Sequence, residues 1–523
     1  MPPGDRIGLL VPGPVAIVFF FWLLAGILVH QPHLISGDGD PARHIHHGLW
    51  ILEHGSLIYN DPFSYTRPGE PFVGFEYGSQ ILFGLMHRAA GLAGVVALSL
   101  VLMALMPALV AWFLLKRRVD PLLAFIGALL SGVVAQVHFV ARPHLFTFIF
   151  TLVLLAWLER GRRPPWWAFA LLFTVWVNLH GGVVFGVVLV TLYLLAAILQ
   201  ALSRNAREAA LAEAKGLSLI LVVGIGALFL TPYGTEVPIH LVNFFGEPFL
   251  REHTEEFNSP NFHLLGMKPF LFATLAMMLI LAWLRERPQL RWLLVMVATT
   301  GFALLAQRNV ALYAATAMPL LFLHIDQVWR RLPDWRELRA GFEITTRATR
   351  SGGWVLLGSA AMGGLALNDG EMLGLQVLRN QFDPRVFPVA IVEEARAEEM
   401  EGRIFHEFTW GGWLLYAWPE QKVFIDGGTD FYGSELLRTF IEIRRMLPEW
   451  RNTLEAYRID HVLLSVETPL AHELAREPGW GLRTCDAVGV LLSRDQPRTG
   501  LEADSLMSCL EERRHRASPG SSR

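Results

Sequence analysis

The segment SGDGDPARHIHHG sets two carboxylates, Asp38 and Asp40, ahead of three imidazoles, His44, His46 and His47. Asp followed by Pro starts a helix, because Asp caps and Pro suits the first helical position. Asp40 therefore has two readings, a plain helix cap or a base. His44 falls one turn later on the same side. A carboxylate beside an imidazole is a working general-base pair. The three histidines with Asp40 also approach a metal-ligand spacing, but no HExxH-type pattern completes it, so no metal is expected. Glu76 arrives at the end of DPFSYTRPGEPFVGFEYGSQ, an ordered loop by its Pro, Gly and aromatic content. Its simpler role is to cap the next helix.

More polar residues sit on short turns between apolar runs. FVARPHLF carries Arg142 and His144, WVNLHGGVVFG carries Asn178 and His180, TPYG carries Tyr233, and AQRNV carries Arg308. EEFNSPNF adds Glu255 and Glu256. An Arg at a membrane end usually snorkels to headgroups. Arg142 and Arg308 run against the charge trend of the chain, and boundary ionisable groups of this kind are functional candidates. A guanidinium offers a bidentate fork to phosphate oxygens. Near the C-terminal end, KVFID leads into GGTDFYG, which places Asp426 and Asp430 near a strand end where ligand contacts occur. The Gly content of that stretch equally describes a turn.

The elements that carry these residues are mostly apolar helices. The chain has 523 residues, of which 53% are hydrophobic and 17% charged. A soluble domain carries about a quarter charged residues, and the deficit here is concentrated in long apolar runs. About eleven segments, from 9–29 to 353–367, suit a membrane-crossing helix. The N-terminal stretch lacks a basic opening and is too long for a signal peptide, so it is expected to remain as the first span. The stretch from Ser79 to Leu85 belongs either to the second span or to a separate interfacial helix.

Basic residues follow every even-numbered span: Lys116 to Arg118, Arg160 to Arg163, Arg204 to Lys215, Arg285 to Arg291, and Arg330 to Arg350. Positive loops stay in the cytoplasm, so an inside N-terminus and an outside C-terminus are expected. The two long outer loops then cover residues 30–78 and 232–267. The helix after Asp40 carries Ala42, Ile45, Leu49 and Leu52 on one face and is expected to lie on the membrane with Trp50 at the headgroups.

Residues 368–495 read as a periplasmic α/β domain. FPVAIVEEARAEEM, ELLRTFIEIRRML and WRNTLEAY are helical, whereas RIFHEF, KVFID, HVLLS and VGVLLS are strand-like. Residues 496–523 form a polar tail. The only cysteines, Cys485 and Cys509, would be able to pair in an oxidising compartment.

Taken with the NLHGG, RPH and TPYG turns, the DGD loop and the DPFSYTRPG loop resemble bacterial members of the C-type glycosyltransferase (GT-C) superfamily. That group is similar to protein mannosyltransferases and aminoarabinose transferases. The resemblance runs from about Gly37 to Trp480 and includes GGWLLYAWPEQKVFIDGGTDFYG and RIDHVLLS. It implies a transmembrane GT-C-like domain over residues 1–367, in a multi-pass protein of the bacterial inner membrane. It also implies transfer of a sugar from a polyprenyl-phosphate carrier to a glycan or protein acceptor on the periplasmic side, and a direct single displacement would make that transfer inverting. Asp40 or Asp38 would be the catalytic carboxylate, assisted by His44. Glu76, Arg142, His144, Asn178, His180, Tyr233, Arg308 and Asp426 would bind substrate. No cofactor is expected beyond the lipid-linked donor, and no nucleic-acid partner. Two other readings are a transporter or lipid-linked sugar translocase, and a non-catalytic envelope scaffold. The polar residues gather at one face and no repeat is present, which speaks against the midplane site of a transporter.

Overall fold

A computed structural model describes residues 11–203, 207–284, 286–330 and 352–494. The polar tail 496–523 with Cys509, and the basic stretch from Arg331 to Arg350, lie outside the described residues. Among the described residues, seven helices are long and apolar enough to cross a membrane, and four apolar helices are shorter. Together they take up the eleven apolar segments of the sequence.

Helix α1 (Pro14–Ala25) runs through a π turn into Gln31–Ser36. Helix α2 (Asp40–His54) follows. The next run, α3 (Tyr77–Lys116), is broken at Ala90 and Gly91. Gly91 has φ +56° and ψ −154°, a conformation that excludes ordinary side chains, so the residues before it form a separate helix. The bundle continues with α4 (Pro121–Ala135), α5 (His144–Leu158), α6 (Trp166–Leu179), α7 (Val183–Ala201) and α8 (Arg207–Ala227). Two short helices, α9 (Glu236–Gly246) and α10 (Pro248–His253), lie in the second long loop. The last spans are α11 (Lys268–Trp283), α12 (Leu290–Leu305), α13 (Val310–Trp329) and α14 (Gly352–Leu367).

The C-terminal part carries α15 (Val389–Ala397), β1 (Ile404–His406), α16 (Gly411–Ala417), α17 (Thr429–Arg444), α18 (Trp450–Ala456), β2 (His461–Ser465), α19 (Pro469–Leu474), β3 (Trp480–Cys485) and β4 (Gly489–Arg494). Its sheet has the order β1-β2-β4-β3, with β1 and β2 parallel and the other pairs antiparallel. Phe405, Val462, Leu464, Val490 and Leu492 point from the sheet into a core shared with Leu436, Leu437 and Phe440 of α17. Cys485 is disulfide-bonded.

Three expectations are corrected. KVFID is not a strand of the sheet. Val423 forms only an isolated bridge to Ser64, because the first long loop docks there, with Thr66 Oγ1 donating to Phe424 O at 2.7 Å and Tyr65 OH to Ile404 O at 2.9 Å. Asp40 is not the helix cap. It is the first residue of α2, and Asp38 accepts its N–H at 3.0 Å. Finally, α2 is not a surface helix, since it is wedged between the start of α3 and α16. Polar and apolar positions alike are buried, among them Asp40, His44, Ile45 and His47.

The wedge depends on Gly48. A Cβ there would meet the carbonyl oxygen of Gln80 at 1.9 Å, and one on Gly84 would meet Gly48 carbonyl carbon at 2.7 Å. This close approach brings His44 of α2 opposite Glu76 and Gln80. Gly48→Ala should force the helices apart and destabilise the protein by about 1–3 kcal/mol, as overpacking does. A thermal melt checks it, and an unchanged melting temperature would contradict the packing.

Candidate active site

The loops that follow α1, α4, α6, α8 and α12 meet the C-terminal domain at one end of the bundle. Between them lies a cavity of about 870 Å³, within the range of sites for small ligands. Its polar wall carries Asp38, Asp40, His44, Glu76, Arg142, His144, His180 and Arg308. These are eight of the eleven residues singled out in the sequence, drawn from five separate segments. Its other flank is apolar, with Phe148, Val184, Phe185, Val188, Phe302 and Leu312 from four spans.

Arg142 is the hub. It ion-pairs with Asp40 and with Glu256, and lies 3.5 Å from Asp38. Burial works against its charge, but Asp38 and Glu256 outweigh burial and raise its pKa. In return, Arg142 holds Glu256 far below the usual carboxylate range. Asp38 behaves differently, because burial pushes it up more strongly than Arg142 pulls it down. Asp40 has a second cation in Arg43, at 3.4 Å. Arg308 stacks over the Phe257 ring at 4.5 Å. No carboxylate lies within ion-pair distance of Arg308 among the described residues.

A second cluster centres on Glu76. His180 Nε2 is 3.4 Å from Oε1 and His44 Nε2 is 3.7 Å from Oε2. His180 Nδ1 accepts the Gly182 N–H at 3.0 Å and lies 2.7 Å from Thr147 Oγ1. Its neutral ring must therefore carry the proton on Nε2, towards Glu76. Gln80 Nε2 faces His44 Nδ1 at 3.4 Å and favours the same tautomer. Burial first, then Arg43, holds His44 well below the usual histidine range. Burial raises Glu76 to about 7. His144 Nε2 contacts His138 O at 2.6 Å, and its ring packs edge-on against His180, linking the two clusters. His46 and His47 are occupied differently, since both rings pack on Phe63.

Three expected site residues do not line the cavity. Asn178 accepts from Tyr77 OH at 2.6 Å and donates to Thr174 O and Leu230 O, so it ties three helix ends together. Tyr233 OH donates to Ile58 O at 2.9 Å. Asp426 is buried and accepts the Gly428 N–H at 2.6 Å, which shapes the GGTD turn. From the same turn Gly427, Thr429 and Asp430 do line the cavity, and His240 of α9 contacts Asp430 at 2.8 Å. Burial disfavours a charged His240, but the bond and charge of Asp430 outweigh it and raise its pKa. Sequence reasoning missed Arg43 and His240. Arg43 had a signal, its i+3 spacing from Asp40, whereas His240 had none.

With this geometry in place, comparison with known proteins adds the fold. The oligosaccharyltransferase of Archaeoglobus fulgidus in its apo form superposes with a TM-score of 0.55 at 12% identity, over 87% of this chain and 70% of that one. This chain has the fold of a membrane oligosaccharyltransferase. The same archaeal enzyme, AglB, in complex with an inhibitory peptide and a dolichol-phosphate, matches with a TM-score of 0.54 at 13% identity, over 87% and 69% of the two chains. ArnT from Cupriavidus metallidurans bound to undecaprenyl phosphate gives 0.48 at 15% identity, over 91% and 97%. No family model and no curated protein sequence matches the chain.

Proposed function

We propose that this protein is a membrane glycosyltransferase that moves a sugar from a polyprenyl-phosphate carrier to an acceptor hydroxyl on a glycan or protein. The observation that carries this reading is Arg142, shared by Asp38, Asp40 and Glu256 on the polar wall of a cavity whose other flank is apolar. The apolar flank suits a prenyl chain and the guanidinium suits its phosphate. AglB, which shares the fold, was solved with a dolichol-phosphate.

The mechanism follows from competition for one cation. A donor phosphate takes Arg142 and Arg308, and Asp40 loses its strongest partner. A freed carboxylate is a better base. Asp40 then accepts the proton of the acceptor hydroxyl as that oxygen bonds to the anomeric carbon. The bond from this carbon to the phosphate oxygen breaks, and its electron pair leaves with the phosphate. One displacement inverts the anomeric centre. Asp38 is committed to the start of α2, so Asp40 is the carboxylate assigned as base.

The basic loops set the orientation: the cavity and the C-terminal domain face away from the cytoplasm. A reporter active only in the cytoplasm, fused after Arg523, should be silent, and a strong signal would reverse the orientation. Asp40→Asn keeps the size and shape of the side chain but removes its basicity. It should fold and lose transfer by roughly 10²-fold or more, measured on pooled lipid-linked sugars per folded protein. Asp38→Asn keeps an acceptor for the Asp40 N–H and should retain most activity. Full activity in Asp40→Asn would exclude it as the base.

A further inference from the structure

Glu76 differs from most carboxylates of the cavity, and from Asp430, which is hydrogen-bonded to His240 at 2.8 Å, in having two imidazoles near it at longer range. Asp38, Asp40 and Glu256 face Arg142, and Glu407 faces Arg444 at 2.9 Å. The near neighbours of Glu76 are instead two imidazoles, each presenting an N–H to one carboxyl oxygen. Both rings are neutral near pH 7, because burial holds His44 and His180 well below the usual histidine range. The contacts of 3.4 and 3.7 Å exceed a normal hydrogen bond, so every one of these groups keeps capacity for a ligand. The side chain of Glu76 is 15% exposed, and all three residues line the cavity.

Such a cluster is polar and directional with no cation in ion-pair contact, Arg43 and Arg308 acting on Glu76 only from farther off. A phosphate or carboxylate would meet Glu76 with no guanidinium in contact with that carboxyl. A hydroxyl both donates and accepts, and so does this set: imidazole N–H groups donate, while a carboxyl with a pKa of about 7 does either. Its place also fits. His144 joins it to the Arg142 turn on one side, and His44 joins it to Asp40 through one turn of α2 on the other. A group held here sits beside both the phosphate cations and the base.

We infer that Glu76, His44 and His180 form the subsite for the transferred sugar, and that this sugar is neutral, held through its hydroxyls. The inference rests on the donor reading above. It makes the arginine cluster responsible for the carrier phosphate and the Glu76 cluster for discrimination among sugars.

The test is equilibrium binding to the full chain in nanodiscs. The probes are undecaprenyl phosphate and its esters with glucose, mannose, galactose, galacturonic acid and glucosamine. At least one neutral ester should bind about tenfold more tightly than the bare carrier, the equivalent of one or two net hydrogen bonds. Glu76→Ala and His180→Ala should bring that ester down to the level of the bare carrier. Glu76→Gln, which still donates and accepts, should keep most of the gain. Arg142→Gln should weaken carrier and ester alike. The subsite is overturned if no neutral ester exceeds the bare carrier, or if Glu76→Ala weakens carrier and ester equally. Neutrality is overturned if a charged ester outbinds every neutral one. If neither carrier nor ester binds the parent protein, the transferase reading fails and the subsite with it.

Discussion

One guanidinium organises this end of the molecule. Arg142 sits on the turn before α5, Asp38 and Asp40 at the start of α2, and Glu256 in the long loop after α8. Three distant segments are thus tied by charge at a place where a lone buried ion would be strongly unfavourable. Removing Arg142 would leave three carboxylates facing each other, and an anionic ligand that takes Arg142 must displace a carboxylate from it. The same interaction therefore holds the loops together without ligand, and Arg308, which no carboxylate pairs among the described residues, is the cation left over for an anionic ligand.

The rest of the fold places partners around that hub. Gly48 lets α2 lie against α3, which sets His44 opposite Glu76 and Gln80. The first long loop is fixed to the C-terminal domain through Tyr65 and Thr66, so the domain forms a wall of the cavity. The opposite end of the bundle uses charge differently. Glu159 has a fully buried carboxylate held by Arg291 at 2.9 Å, Arg117 at 3.4 Å and Tyr193 OH at 2.9 Å. Its cations come from the basic loops, and there they fasten helices instead of facing a large cavity.

The sequence disclosed the apolar spans and most of the polar wall, because both signals are local. Apolar runs declare helices, and Arg142 and Arg308 stand out against the charge trend of their neighbours. Rotation about a helix axis is not local. Asn178 and Tyr233 sit at helix and loop junctions like their neighbours His180 and Arg142, yet they turn to backbone carbonyls. KVFID has a strand pattern, but Ser64, more than 350 residues earlier, forms its only bridge. His240 gains its meaning from Asp430, 190 residues away. The cap position likewise moved from Asp40 to Gly39, with Asp38 accepting the Asp40 N–H, a shift that depends on where the first helical turn closes.

The central claim is that an anionic lipid carrier takes Arg142 from Asp40. A structure determined with undecaprenyl phosphate bound tests it most directly. The account predicts the phosphate between Arg142 and Arg308, the prenyl chain along Val184, Val188 and Phe302, and Asp40 released from the guanidinium. A phosphate bound elsewhere, with the Arg142–Asp40 pair intact, would contradict it.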